Sequence, residues 1–147
     1  MKHGPGGGRL ALSLAALLWL PAAAQAACLA YTERVRLEGV LVRKTFPGPP
    51  NYESVATGDR PETYRLVRLA RPACVDEDPT DKEGLNERVD RLLQVQLVLD
   101  AEQYKAERWR LGRRVAVSGL LFGAITGHHR TPALLWTAGR DKVRFEK

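Results

Sequence analysis

The residues best suited to chemistry fall in two short segments. One is Phe46-Pro47-Gly48-Pro49-Pro50-Asn51-Tyr52-Glu53-Ser54, and the other is Thr126-Gly127-His128-His129-Arg130-Thr131-Pro132. Neutral imidazoles are good zinc ligands, so His128 and His129 could bind the metal with Glu53 as a third ligand and water in the open position. Neighbouring side chains of an extended strand point to opposite faces, and both histidines reach one ion only if the chain turns there. Glu53, His128 and Ser54 could also be drawn as a base and nucleophile for hydrolysis. A third use is recognition, with stacking from Tyr52, hydrogen bonds from Asn51, His128 and His129, and charge from Arg130. For each of these residues the plain competitor is packing within the loop. No nucleophile elbow, phosphate loop, H-E-x-x-H or paired C-x-x-C occurs, so the spacing favours recognition over catalysis and implies neither a cofactor nor a resident metal.

The compartment follows from the first 26 residues. Lys2 and Arg9 form a positive start, Leu10 to Leu20 an apolar run, and Pro21 precedes the small-x-small sequence Ala24-Gln25-Ala26. This is the layout of a signal peptide cleaved after Ala26. The apolar run is about half the roughly 20 residues that a bilayer span needs. The two cysteines, Cys28 and Cys74, then enter an oxidising compartment together, where a disulfide is their natural state. Lipidation of Cys28 would want an aliphatic residue three places earlier, and Gln25 stands there. The expectation is one periplasmic or secreted domain over 27–147, with no transmembrane segment after cleavage.

Five strands and one helix are legible in that domain. Val35, Leu37 and Val40-Leu41-Val42 form a first strand with a bulge expected at Gly39. A second runs from Tyr64 to Leu69 and is expected to stop at Arg71-Pro72. Residues 75–90 hold seven acids against Lys82 and Arg88, with Pro79 and Gly84, and read as a solvated loop. Leu93, Val95, Leu97 and Leu99 share one face of a third strand, with Gln94 and Gln96 on the other. Asp100 and Gln103 have capping-box spacing, Tyr104 and Leu111 share a helical face, and Gly112 supplies a left-handed stop. Arg114 to Phe122 and Ala133 to Thr137 are the last two strands, the latter with a possible extension over Arg140 to Lys147.

Three strands, a helix and two strands is the order of the five-stranded OB barrel, with a small open β-sandwich plus helix as the alternative. In an OB barrel the loops after the first and fourth strands flank the binding face. That arrangement would bring the two chemistry-bearing segments together.

These motifs carry a resemblance. The loop 46–54, Ser118-Gly119-Leu120-Leu121-Phe122 and Thr126-Gly127-His128-His129-Arg130-Thr131-Pro132 together resemble the exported bacterial family called domain of unknown function 4431. The resemblance implies an exported domain and brings no activity with it. Its members commonly read Gly-His-His-His-Thr-Pro, and Arg130 replaces the third histidine here.

Charge suggests the partner class. The chain carries +6, and setting aside the acidic loop leaves a strongly basic barrel. Arg108, Arg110, Arg113 and Arg114 cluster at the helix end, where cations complement the helix dipole. Arg43, Lys44, Arg65, Arg68 and Arg130 lie nearer the expected binding face. Such a field attracts anionic glycans, peptidoglycan fragments or acidic envelope proteins. Stacking and phosphate contacts would also suit single-stranded nucleic acid, but export argues against that partner. Trp109 and Trp136 read as packing residues. The expected function is a non-catalytic OB-like binding module for an anionic or polar envelope component. A metal-assisted hydrolase using the same loops and a purely structural or protein-interaction domain are the alternatives.

Overall fold

A computed structural model describes Met1, residues 27–137 and residues 144–145. The expected leader, Met1 aside, and most of 140–147 lie outside the described residues. The elements in chain order are β1 (Leu29–Ala30), β2 (Arg34–Pro47), a 3-10 turn (Val55–Thr57), β3 (Pro61–Asp76), β4 (Val89–Val98), α1 (Ala101–Glu107), a second 3-10 turn (Arg108–Arg110), β5 (Arg114–Gly123), β6 (Ala133–Trp136) and β7 (Arg144–Phe145).

The sheet closes on itself. β3 pairs with β2, β2 with β5, β5 with β6, β6 with β4, and β4 returns to β3. All of these pairs are antiparallel except β4 with β6. This is the mixed five-stranded barrel of the OB fold, with α1 between its third and fourth strands. Period-2 alternation puts Val35, Leu37, Leu41, Val67, Val95, Leu97, Val115, Val117, Leu121 and Leu135 inside, each at most 6% exposed. β7 pairs with β5 at Val115 and Ala116, continuing the antiparallel course of β6 along that strand.

The bulge expected at Gly39 is absent. β2 pairs with β5 over its first half and with β3 over its second, and both registers run through Gly39 without a shift. The glycine serves close approach instead, since a Cβ there would lie 2.1 Å from the Arg68 carbonyl oxygen. Irregularity falls on β3, whose pairing with β4 shifts between Arg68 and Ala73 and again before Val75. Pro72 therefore marks a bulge, not the end of the strand, because β3 resumes pairing and runs on to Asp76.

A second tight crossing occurs at Gly119, where a Cβ would sit 2.2 Å from the Trp136 carbonyl oxygen. Gly119→Ala should force β5 from β6 and destabilise the protein by about 2 kcal/mol. A chemical-denaturation midpoint is the check, and a loss below about 0.5 kcal/mol would mean that the crossing yields freely.

Two further expectations are corrected. Trp109 and Trp136 are 76% and 52% exposed, not packed. β6 directs Ala133 and Leu135 inward and so turns Trp136 out, while Trp109 carries the Arg108 guanidinium 4.5 Å above its ring. Gln96, expected on the solvated face of its strand, is only 4% exposed.

The acidic segment 75–90 gives its ends to β3 and β4, and its middle is an exposed loop folded by its own carboxylates. Asp81 accepts the N–H groups of Glu83, Leu85 and Asn86, which hold its carboxyl below the ordinary value, Asn86 most of all. Cys28 and Cys74 form the disulfide, beside the parallel pairing of β1 with β3 at Val75 and Asp76. The Asp100–Gln103 capping box is complete, and Gly112 adopts φ 79° after the second 3-10 turn. No helix of the described residues is long and apolar enough to cross a membrane.

Candidate functional site

The loop between β2 and β3 is organised by one carboxylate. Asp59, 3% exposed, accepts the N–H groups of Asn51 (2.8 Å), Glu53 (2.7 Å) and Ser54 (2.9 Å). These bonds, that of Asn51 foremost, hold its carboxyl below the ordinary value. Ser54 caps the 3-10 turn by accepting from Ala56, and Gly58 closes it at φ 115°. Tyr52 is left at φ 62°, a left-handed conformation that non-glycine residues seldom adopt. From there its ring lies against Gly127, where a Cβ would come within 2.9 Å of it.

The loop between β5 and β6 is held from beneath. Leu66, Gln96, Leu134 and Phe122 stand side by side across β3, β4, β6 and β5 on the outer face of the barrel. Gln96 donates its side-chain N–H to the His128 carbonyl (3.1 Å) and accepts the Arg130 N–H at its amide oxygen (2.7 Å). Its own backbone N–H goes to Thr131 Oγ1 (3.0 Å), whose hydroxyl donates to the Ala133 carbonyl. The loop therefore covers the outer face, which explains why Leu66 and Leu134 are fully buried outside the barrel core.

Side chains from both loops meet above β3. His128 Nδ1 lies 2.9 Å from Glu62 Oε2 and 3.2 Å from the Tyr64 hydroxyl, and its Nε2 lies 3.3 Å from the Tyr52 hydroxyl. With the imidazole proton on Nδ1, His128 donates to Glu62 and accepts the Tyr52 O–H, which satisfies both rings. Tyr64 donates to the same Glu62 oxygen at 2.6 Å. Glu62 is accordingly held below the ordinary carboxylate range, by the Tyr64 hydrogen bond first and His128 second. Burial, reinforced by that carboxylate, pushes the Tyr64 hydroxyl up to about 12.

Arg130 is the floor of this cluster. Its side chain is only 12% exposed, donates to the Pro47 carbonyl and lies 3.6 Å from Glu62. The guanidinium sits over the rings of Phe46, Tyr52 and Tyr64 at 5.4, 5.3 and 6.0 Å. Its charge is directed inward, so its role is to anchor the two loops to each other.

The candidate residues thus divide. Tyr52, His128 and Arg130 come together, with Phe46 of the first segment beneath Arg130; Glu62 and Tyr64 join them unforeseen. Asn51 is exposed and contributes its backbone N–H to Asp59. His129 turns away from His128: its Nδ1 accepts the Ile125 N–H at 2.9 Å and its ring meets Phe122 edge-on. Burial and the neighbouring His128 lower its pKa and favour the neutral ring. Ser54 and Glu53 are held by Asp59, and the side-chain partners of His128 are Glu62, Tyr64 and Tyr52. Among the described residues no group of three or more His, Cys, Asp or Glu side chains is arranged to hold a metal ion.

The period-2 spacing Glu62, Tyr64, Leu66 was the available signal for the missed residues, since it puts them on one face of a strand. Chemically the cluster offers a carboxylate, an imidazole and a phenol in series, with the half-exposed imidazole and the Tyr52 ring at its rim.

Residues 94–137 match the model of the family described as Domain of unknown function (DUF4431), which the sequence resembles. The matched segment spans part of β4, α1, β5, the His128 loop and β6, and leaves out the Tyr52 loop. No curated protein and no solved structure matches the chain.

Proposed function

We propose that the protein is an exported, non-catalytic binding module that recognises an anionic or polar component of the cell envelope through segments 46–54 and 126–132. The observation that carries this reading is the Tyr52–His128 contact over Glu62, which joins loops 76 residues apart on the flank that OB barrels use for ligands. Both loops are held in place before any ligand arrives, one by Asp59 and the other by Gln96, which lowers the entropy lost on binding. Tyr52 and His128 form the contact surface, Asn51 and His129 flank it, and Arg130 holds it together. Residues 27–147, which lack Lys2 and Arg9 of the leader, keep a net charge of +4 (21 bases, 17 acids), and this draws anionic partners such as acidic glycans, peptidoglycan fragments or acidic envelope proteins. The disulfide and the leader-like start support a periplasmic or secreted location.

The Glu62–His128–Tyr52 series favours one other reading, acid-base chemistry on a substrate at the same face. One experiment separates the two. Soluble peptidoglycan fragments and acidic envelope glycans are passed over immobilised oxidised protein and over a Tyr52→Ala, His128→Ala variant of unchanged melting temperature. Retention at least tenfold weaker on the variant, with the ligand recovered intact, is the expected result. Equal retention on both would overturn the binding face, and recovery of a cleaved ligand only from the unaltered protein would replace binding with hydrolysis.

A further inference from the structure

A second feature lies at the other end of β2. Ten residues separate Arg36 from Phe46, about 33 Å along an extended strand. Between the pairs Arg68–Gln94 and Ala73–Leu92, residues 69–72 of β3 stand opposite a single residue of β4, Leu93. The excess chain arches out of the ladder. Its arch, the start of β1 and the outer face of β2 enclose an open cleft of about 770 Å3, within the size range of small-ligand sites.

The lining is one-sided in charge. Arg36, Arg71 and Arg114 face it with Glu38 as the lone acid, and Leu29 and Leu69 supply apolar wall beside the Cys74 end of the disulfide. Glu38 Oε1 accepts from Arg36 Nη2 at 3.1 Å and offsets that guanidinium. Arg71 and Arg114 are exposed and form no ion pair among the described residues. Two arginines of the lining are thus left without a carboxylate partner beside a recess whose walls exclude part of the water around a guest. Their planar donor forks match two oxygens of a carboxylate, phosphate or sulfate.

We propose that this cleft is a second binding site, separate from the loop face, which takes an oxyanion between Arg71 and Arg114 and packs the carbon part of its carrier on Leu29 and Leu69. The oxyanion is either free in solution or borne by an acidic sugar, and only the sugar also uses the Leu29 and Leu69 wall.

Calorimetric titration of the purified oxidised protein at low salt tests this, with inorganic phosphate and a sulfated uronate disaccharide as separate probes. Saturable one-to-one binding of at least one probe is expected, weakened at least tenfold in Arg71→Gln, Arg114→Gln. An Arg108→Gln control, at the end of α1 and outside the cleft lining, should change it by less than twofold, and Tyr52→Ala, His128→Ala should leave it intact. Equal affinity for both probes assigns a free oxyanion, and at least tenfold tighter binding of the disaccharide assigns a sugar. Absence of saturable binding by either probe, or an equal loss in the Arg108 variant, overturns the site. Since Arg71 and Arg114 are exposed, melting temperature should not move, which keeps folding out of the comparison.

Discussion

Replacing Cys28 and Cys74 by serine should lower the unfolding free energy by about 4 kcal/mol, the chain-entropy value for a closed loop of this size. The two cysteines lie 46 residues apart, so the bond denies the unfolded chain much of its freedom. In the native state the same bond keeps β1 against β3, and Leu29 packed on the barrel core. A domain of this size has roughly 5–15 kcal/mol in all, so the loss is a large share of it and should depress the melting temperature by about 15 °C. Urea denaturation of the oxidised protein and the double serine variant decides the matter. A difference below 1 kcal/mol would mean that the Tyr31 hydroxyl bond to the Glu87 carbonyl and the β1–β3 pairing suffice without the sulfurs.

The second large effect is a dependence of stability on pH with an unusual sign. Glu107 ends α1 only 1% exposed, and neither carboxyl oxygen has a hydrogen-bond partner. Burial pushes its pKa up to about 7, against the pull of Arg65 from β3 and Arg110, and with the push of Asp100. Arg65 brings little relief by bonding, since its own Nε is buried without a partner and its guanidinium lies over the Tyr104 ring at 5.7 Å. A folded pKa above the unfolded 4.5 means that the fold favours the protonated acid. The contribution of Glu107 is therefore fully present below about 4.5 and is lost as pH rises to about 7. Allowing for solvent screening at the barrel end, the loss is about 1 to 3 kcal/mol.

Glu107→Gln should remove this dependence, raising the melting temperature at pH 8 by several degrees and changing it little at pH 4. Other groups act in the opposite direction. Asp59, Glu62 and Asp81 have lowered values, so their contributions vanish as pH falls below the ordinary carboxylate range. His129, also lowered, costs stability as pH falls through its unfolded value near 6.5. Taking the difference between variant and unaltered protein at each pH cancels these shared terms. A difference that does not grow between pH 4.5 and 7 would show that water reaches the Glu107 carboxyl.

The barrel was legible because its determinants are local and periodic. Val35, Leu37 and Leu41, or Val95 and Leu97, announce a strand and its buried face, and the Asp100–Gln103 cap fixes where the helix interrupts the strands. Leu93, expected on that face, is 50% exposed, because the irregular pairing with β3 at this point turns Leu92 inward in its place. Gly39 and Pro72 were misread for a common reason. Each signals a departure from regular pairing, but whether the departure is a bulge, a close crossing or a stop depends on the neighbouring strand, which the local sequence does not contain. Gln96 was misplaced likewise: its buried side follows from a loop that starts 28 residues later and folds back over it.

The site was half legible. The two loops could be paired once the barrel was recognised, which brought Tyr52, His128 and Arg130 together. The inward turn of Arg130 could not be foreseen, because the aromatic floor of Phe46 and Tyr64 and the acid Glu62 come from strand positions that look like ordinary outward-facing residues. Nor could His128 and His129 be told apart. Their different orientations come from Gly127 yielding space to the Tyr52 ring on one side and from Phe122 on the other.

The parallel seam between β4 and β6 gives the loop face a remote readout. Gln96 pairs with Leu134 at this seam and also carries the His128 loop, so opening the seam and releasing the loop are one cooperative event. Any guest bound on the loop face opposes that event, by an amount set by its affinity and concentration. Backbone amides at the seam, distant from the guest and buried in the barrel wall, would then exchange their hydrogens with solvent more slowly, and a partner could be recognised by that slowing before its own contacts were mapped.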